Sequence, residues 1–419
     1  MDGFVAVVLA AGQGTRMNSS LPKVVHKIFD KAMVSYALDA AFNAGSKKAV
    51  VVTGFKGEII RDELKDKENM NFVHQEKQLG TGHAASMALP LIEDNDDVVI
   101  LYGDMPLLTK ETLKHIYDIH KSTNADLTVQ STHVPNPFGY GRIVRKDGLL
   151  EKIVEQKDAT HKQQEINEIN TGLYCFKAEA LKEAIMNMDN NNVQKELYLT
   201  DAVKILLEKG RKVQATISSN YEEFLGVNSK VELASATKIM QRRINEKLMI
   251  EGVTIIDPET TYISVHAEIG NDTVIMPGTV IEADCVIGKN CTLGPYAHLR
   301  PKTIVGDNVR IGNFVETKNA TLGNGTKVAH LSYVGDAILG ENVNFSCGAI
   351  TVNYDGENKH QTKIEDNAFI GCNANLIAPV SVGENALIAA GSTITDSLPE
   401  NSLGIARLRQ TTKENYRNK

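Results

Sequence analysis

ISVHAEIGNDTVIMPGTVIEADCVIGKNCTLGPYAHLRPKTIVGDNVRI, residues 263–311, carries an aliphatic side chain at every sixth position without a slip. These are Ile263, Ile269, Ile275, Ile281, Ile287, Leu293, Leu299, Val305 and Ile311. The step resumes at Leu322, Val328 and Val334, again at Leu339, Phe345 and Thr351, and again from Ile364 to Ile394. Six is neither a helical period nor a simple alternation. It suits a short flat strand followed by a corner, where residues such as Gly270, Gly288 and Gly306 supply the turn. Self-similarity at a short fixed period marks a solenoid whose repeats bury their faces on one another. Three hexads would close one triangular coil of a parallel β-helix.

Working outward, the whole chain has 419 residues, enough for two or three domains with proper cores. It is 42 % hydrophobic and only 5 % aromatic, with no Trp. A net charge of −7 argues against a nucleic-acid or membrane-surface binder. The longest apolar run, Phe4 to Ala11, is too short to span a bilayer. The Met1-Asp2 start has no basic region, so no secretory signal is expected. Cysteines 175, 285, 291, 347 and 372 form no CxxC pair, and read as free thiols in a reducing cytoplasm.

At the other end, FVAVVLAA (4–11) reads as a buried strand opening into the glycine loop of LAAGQGTRM (9–17). Lys48–Thr53, Asn71–His74 and Val98–Tyr102 are further strands, with helices over Val34–Ala44 and Gly82–Leu91 between them. That alternation predicts a mostly parallel, doubly wound, Rossmann-like sheet. Residues 229–251 read as a linker helix between a sheet domain (1–228) and the repeats (252–419). The loop is not a dinucleotide fingerprint. Its glycines let backbone N–H groups approach phosphate oxygens, and Arg16 and Lys23 would neutralise a triphosphate. Gln75 and QLGTGH (78–83) offer amides, a hydroxyl and bare backbone to a nucleobase and ribose. YGDMP (102–106) ends a strand with one acid, where such sheets place ligands.

Together with GYGR (139–142), IVE (153–155), EINTG (168–172) and GVN (226–228), these motifs resemble the sugar-1-phosphate nucleotidylyltransferases. They are most similar to the uridylyltransferase half of the bacterial bifunctional N-acetylglucosamine-1-phosphate uridylyltransferase/glucosamine-1-phosphate N-acetyltransferase family. The resemblance implies that Leu9, Ala10, Ala11, Gly12, Gln75, Gly80, Thr81 and Tyr102 hold UTP, and that Lys23 and Arg16 act catalytically on its phosphates. It implies Asp104 and Asn228 as Mg²⁺ ligands, and Gly141, Glu155 and Asn170 as the sugar site. The chemistry is consistent: the sugar phosphate is already a nucleophile, so catalysis reduces to alignment and charge neutralisation.

In the repeats, Arg300-Pro301, ETK (316–318), HLSY (330–333), Asn344 and NYDGENK (353–359) crowd polar residues where the six-residue step slips. Corners need only small residues, so these side chains point to binding, and 352–363 reads as an ejected loop. His330 is the candidate base, since an imidazole titrates near neutrality, and Glu316 is expected to orient it. These motifs, with GDA (335–337) and NVN (342–344), resemble the acetyltransferase half of the same family and the wider hexapeptide-repeat acyltransferases. That implies a left-handed β-helix and a homotrimer. Arg300, Lys318, Tyr333, Asn344 and Lys359 would receive the amino-sugar phosphate, and Cys347, Asn353, Tyr354, Cys372, Ala390 and Arg407 the acetyl-CoA. A cysteine acetyl carrier, Cys347 or Cys372, is the rival mechanism, disfavoured because nothing basic neighbours either in sequence.

Two departures from the family stand out. The repeats before Leu299 are fewer than in longer relatives by about two coils, and Cys372 stands where a small hydroxyl residue is common. The expectation is a cytoplasmic enzyme making UDP-N-acetylglucosamine, a precursor for peptidoglycan and so for the cell wall and cell shape. Its substrates would be glucosamine 1-phosphate, acetyl-CoA, N-acetylglucosamine 1-phosphate and UTP, with Mg²⁺, no nucleic acid and no membrane insertion. Two other readings remain: a nucleotidyltransferase of different base preference whose β-helix is only scaffold, and a non-enzymatic nucleotide sensor.

Overall fold

The computed structural model describes residues 3–417. By internal contacts the chain divides into two compact units at Ile239/Met240.

The first unit is built on β1 (Phe4–Ala10), whose seven residues are all buried. Alternate side chains feed two cores on opposite faces, Val5, Val7 and Leu9 on one and Phe4, Ala6, Val8 and Ala10 on the other. A strand buried on both faces needs apolar residues at every position, which is what FVAVVLA supplies. The other strands of this sheet are β2 (Ser46–Thr53), β3 (Met70–His74), β4 (Asp97–Tyr102), β5 (Leu127–His133), β6 (Arg142–Lys146), β7 (Leu149–Val154), β8 (Glu168–Lys177) and β9 (Val213–Ser218). The main sheet runs β9-β5-β8-β4-β1-β2-β3, with β6 and β7 as a hairpin hung from β8. It is parallel except at β8, which runs antiparallel to both β4 and β5. The chain leaves β1 toward β2 and β3, then returns to its other side as β4. The ends of β1 and β4 therefore flank the point where strand order reverses, and there a crevice opens. The expected helix over 82–91 is shorter than read: it spans Thr81–Ser86, then a 3-10 turn at Leu89–Leu91 containing Pro90.

The helix Lys230–Ile250 starts after Ser229, whose Oγ accepts from Glu232 N at 3.2 Å, while the Glu232 carboxylate accepts from Asn228 N at 2.7 Å. It is more than a linker. Its second half caps the repeats: Gln241 and Asn245 side-chain amides donate to Thr261 O at 2.6 and 3.0 Å, and Leu248 joins the repeat core. A solenoid needs such an end cap, because its first coil has no neighbour.

The second unit is a three-sided parallel β-helix. One face stacks nine two- to four-residue strands in parallel from Thr254–Ile255 to Leu403–Gly404, and a second sheet wraps the other two faces. The hexad aliphatics point inward and are buried; Ile269, near the first coil, is the half-buried exception. Each such side chain contributes about 1.5–3 kcal/mol of burial. The sequence slips have a structural cause. Glu316–Leu322 and Tyr333–Leu339 are continuous seven-residue strands that bridge a corner, with Asn319 and Asp336 taking the left-handed conformation (both φ 46) that lets the chain bend there.

Candidate active sites

The crevice beside β1 and β4 holds about 380 Å³ and is lined by Leu9 to Gly12, Lys23, Gln75, Gly80, Thr81, Tyr102, Asp104 and Asn228, among others. Every residue expected to hold UTP or metal lines it. Arg16 does not; it lies exposed on the 3-10 turn after the glycine loop. Gly14 has φ 67, and a Cβ there would stand 2.6 Å from Lys23 Cβ, so glycine lets the lysine stem pass. Gly80 (φ 107) lies against Leu197, whose carbonyl would meet a Cβ at 2.4 Å. Gln78 donates to Ala11 O at 2.7 Å, closing the loop over the crevice, and Gln75 bonds His83 Nδ1 at 2.8 Å.

Lys23 extends into the crevice, and its ammonium bonds the Asp104 carboxylate and Asn228 Oδ1, the latter at 2.9 Å. Asp104 and Asn228, expected as metal ligands, thus already converge on a cation. Two hard oxygen donors suit Mg²⁺, which keeps several waters and takes substrate oxygens. Among the described residues no cluster of three or more His, Cys, Asp or Glu side chains offers an all-protein metal cage.

The sugar-site residues also come together. A Cβ at Gly141 would stand 3.5 Å from Glu155 Oε1 and 3.6 Å from Asn170 Cβ. Burial, with Asp201 and Asp158 nearby, raises the Glu155 pKa against the bond it accepts from Thr200 Oγ at 3.1 Å. Tyr198, Thr200 and Asp201 line the cavity of about 590 Å³ beside Glu155, and the sequence reading missed them. Thr200-Asp201 before a helix looks like an ordinary cap, yet the Thr200 hydroxyl turns to Glu155 instead.

In the β-helix, Arg300 and Lys318 occupy the same position of adjacent coils, continuing the Leu299–Thr317 register. The neighbouring Lys359, and then Arg300, lower the Lys318 pKa, as like charges do where cations gather. The Tyr333 hydroxyl folds over Gly335, the next residue in the Lys318 column. Asp355 ties the 353–360 loop, accepting from Glu357 N and Asn358 N at 2.8 and 2.7 Å and pairing with His360 at 2.6 Å; these contacts hold its carboxyl well below the usual range. Asn353 donates to Asp336, and Tyr354 to Gly356 O. Asn344 donates to Ser346 Oγ at 2.9 Å.

One expectation is corrected here. Glu316 does not orient His330: it stacks between His298 and Tyr333 and bonds Arg300 at 2.8 Å. His330 lies on another face, in register with Asn313, whose Oδ1 is 3.0 Å from His330 Nδ1. An Nδ1–H donated to Asn313 leaves Nε2 with its lone pair. A column then runs along the corner. Gly348 N donates to His330 O at 3.3 Å, Asn373 N to Cys347 O at 2.9 Å, and Gly391 N to Cys372 O at 2.8 Å. His330, Cys347, Cys372 and Ala390 therefore share one position on successive coils, and a Cβ on Gly391 would lie 3.8 Å from Arg407 Cδ. His330 thus neighbours Cys347 in space, which sequence adjacency hid.

The Nucleotidyl transferase family profile matches residues 5–223, and the Bacterial transferase hexapeptide (six repeats) profile matches 266–300, 284–319 and 361–396. The bifunctional protein GlmU of Geobacillus sp. (strain WCH70) is 50 % identical over 446 residues, spanning 98 % of this chain and 97 % of that protein. The chain belongs to the GlmU family. The bifunctional protein GlmU of Clostridioides difficile (strain 630) is 48 % identical over 99 % of this chain and 97 % of its own. As a GlmU-family member, the chain is a bifunctional transferase: a uridylyltransferase in its α/β domain and an acetyltransferase in its left-handed β-helix.

Proposed function

We propose that the two reactions proceed on the residues described above, acetyl transfer to glucosamine 1-phosphate first and uridylyl transfer to its product second. The observation that carries the first assignment is the column His330–Cys347–Cys372–Ala390 ending near Arg407, with Arg300, Lys318 and Lys359 gathered on the same β-helix. His330 Nε2 would take the proton from the sugar amine as it attacks the thioester, with Asn313 holding the ring. Arg300, Lys318 and Lys359 would hold the sugar phosphate, the thioester arm would lie along the column, and Arg407 would meet the CoA phosphates.

In the α/β domain, UTP would enter the crevice of Gly12, Gln75, Gly80 and Thr81, and N-acetylglucosamine 1-phosphate would bind at Gly141, Glu155 and Asn170. Asp104 and Asn228 would hold Mg²⁺, which when bound offsets charge on the phosphates. Lys23 would turn from those ligands to the α-phosphate and stabilise charge as pyrophosphate leaves. Arg16, exposed on the turn after the glycine loop, would close on the outer phosphates.

Homotrimeric assembly is part of the proposal. Tyr296, Phe314 and Leu331 project from one corner at 58, 57 and 57 % exposure, Tyr296 stacked on Phe314 at 5.6 Å, an apolar ridge suited to cover by another chain. A cytoplasmic site fits five free cysteines, and among the described residues no helix is long and apolar enough to cross a membrane.

The test is a coupled assay with glucosamine 1-phosphate, acetyl-CoA, UTP and Mg²⁺, leaving out one component at a time. UDP-N-acetylglucosamine should form only with all four, and N-acetylation should persist without UTP or Mg²⁺. Nucleotide-sugar formation from another base at equal rate, or no CoA release, would overturn the reading. Light scattering that showed a fully active monomer would remove the trimer.

A further inference from the structure

Cys347 and Cys372 stand apart from the other cysteines. Cys175 is buried in the sheet domain, and Cys285 and Cys291 fill small-residue positions of the β-helix core. The core thiols donate to main-chain carbonyls, Cys285 Sγ to Arg300 O at 3.4 Å and Cys291 Sγ to Gly306 O at 3.1 Å. Cys347 is half-buried and Cys372 exposed, and among the described residues neither thiol makes a hydrogen bond.

Although far apart in sequence, the two occupy one position of adjacent coils. Asn344 and Phe345 pair in register with Phe369 and Ile370, which places Cys347 opposite Cys372. The Asn373-to-Cys347 backbone bond of 2.9 Å continues that register, and a Cβ at Gly348 would meet Asn373 Oδ1 at 2.3 Å. Neighbouring strands lie about 4.8 Å apart, inside the Cα separation of about 4.4–6.8 Å that a disulfide spans. His330 lies one coil before the pair and Ala390 one coil after, and the loop carrying Asn353, Tyr354 and Lys359 leaves the helix between them.

We propose that Cys347 and Cys372 are a dithiol that a low-molecular-weight disulfide converts to an intrachain disulfide, reversibly stopping acetyl transfer. The inference rests on the acetyl-CoA reading of this column. The Cys372 thiolate, the more accessible, attacks one sulfur of the small disulfide and expels a small thiolate. The Cys347 thiolate then attacks Cys372 Sγ, closing the link and expelling the second. Two protein thiols lose two hydrogens, and one small disulfide becomes two small thiols. The link draws the two Cβ atoms to about 3.8 Å. It narrows the strip beside His330 and staples the base of the 353–360 loop.

The experiment uses the full chain, folded, in mixtures of oxidised and reduced glutathione. Intact mass, peptide mapping and both transferase activities are read on the same samples. Expected are a loss of two hydrogens, a Cys347–Cys372 linked peptide, and acetyl transfer reduced by about tenfold or more. Dithiothreitol should restore it, and uridylyl transfer should not change. In Cys347→Ser and Cys372→Ser, each compared with its own reduced state, the two-hydrogen loss and the linked peptide should vanish, and Cys347→Ser should instead trap the mixed disulfide of Cys372 with glutathione. In the wild type, separate glutathione adducts without a link, links between chains, or a linked protein with undiminished acetyl transfer would overturn the proposal. Reduced wild type without any N-acetylation would sink the switch together with the acetyl reading, and the mass spectrum would still report separately whether the link forms.

Discussion

Asp104→Asn separates the two chemistries of this chain. The Lys23 ammonium lies between the Asp104 carboxylate and Asn228 Oδ1, with the Lys23 and Asp104 side chains only 15 % and 13 % exposed. The substitution keeps shape and removes one negative charge, the only formal charge that the two assigned ligands offer a cation. Near a protein surface, unit charges 4 Å apart interact by about 4 kcal/mol. Each 1.36 kcal/mol is about tenfold in rate, so uridylyl transfer should fall by about 10³-fold at fixed Mg²⁺. Raising Mg²⁺ should recover part of the loss, because weaker cation binding is saturable. The domain also feels the change. The ion pair lies between an exposed one, worth about 0–1 kcal/mol, and a buried one, whose disruption costs about 3–5 kcal/mol. A cost of about 2 kcal/mol would lower the melting temperature of the first unit by about 4–8 °C. The assay is pyrophosphate release from UTP with N-acetylglucosamine 1-phosphate, alongside CoA release from acetyl-CoA with glucosamine 1-phosphate, on one preparation. Pyrophosphate release within tenfold of wild type, or acetyl transfer falling in parallel, would refute the reasoning.

His330→Ala should lower acetyl-transfer kcat by about 10²–10⁴-fold with little change in KM; near-normal kcat would move the base elsewhere. Burial, then Asp189, lifts the Asp201 carboxyl from 3.8 to about 6. The folded state therefore keeps a proton that the unfolded chain has released, so stability falls as pH rises through about 4 to 6. Asp201→Asn should flatten that fall in a melting-temperature series, and an unchanged slope would count against it. Ile311→Ala, in the closed core at 0 % exposure, should cost about 2–5 kcal/mol in denaturant unfolding; a cost below about 1 kcal/mol would contradict the core assignment.

The hexad run from Ile263 to Ile311 was enough to read a three-sided β-helix, because each coil obeys the same burial rule and a local period reports it directly. The glycine loop and the acid of YGDMP were legible for a related reason: a strand end opening into bare backbone is a local signature. Which polar groups meet was not legible. Lys23 finds Asp104 and Asn228 across 81 and 205 residues, a matter of strand order in the sheet. Glu316 turns to Arg300, Asn313 serves His330, and Cys347 faces Cys372, because coil lengths decide which side chains stack. Sequence by itself determined the burial pattern, since apolar contact is non-directional and needs only the right period. Only the tertiary structure decided the polar partners, since a hydrogen bond requires a donor and an acceptor within about 3 Å and in line.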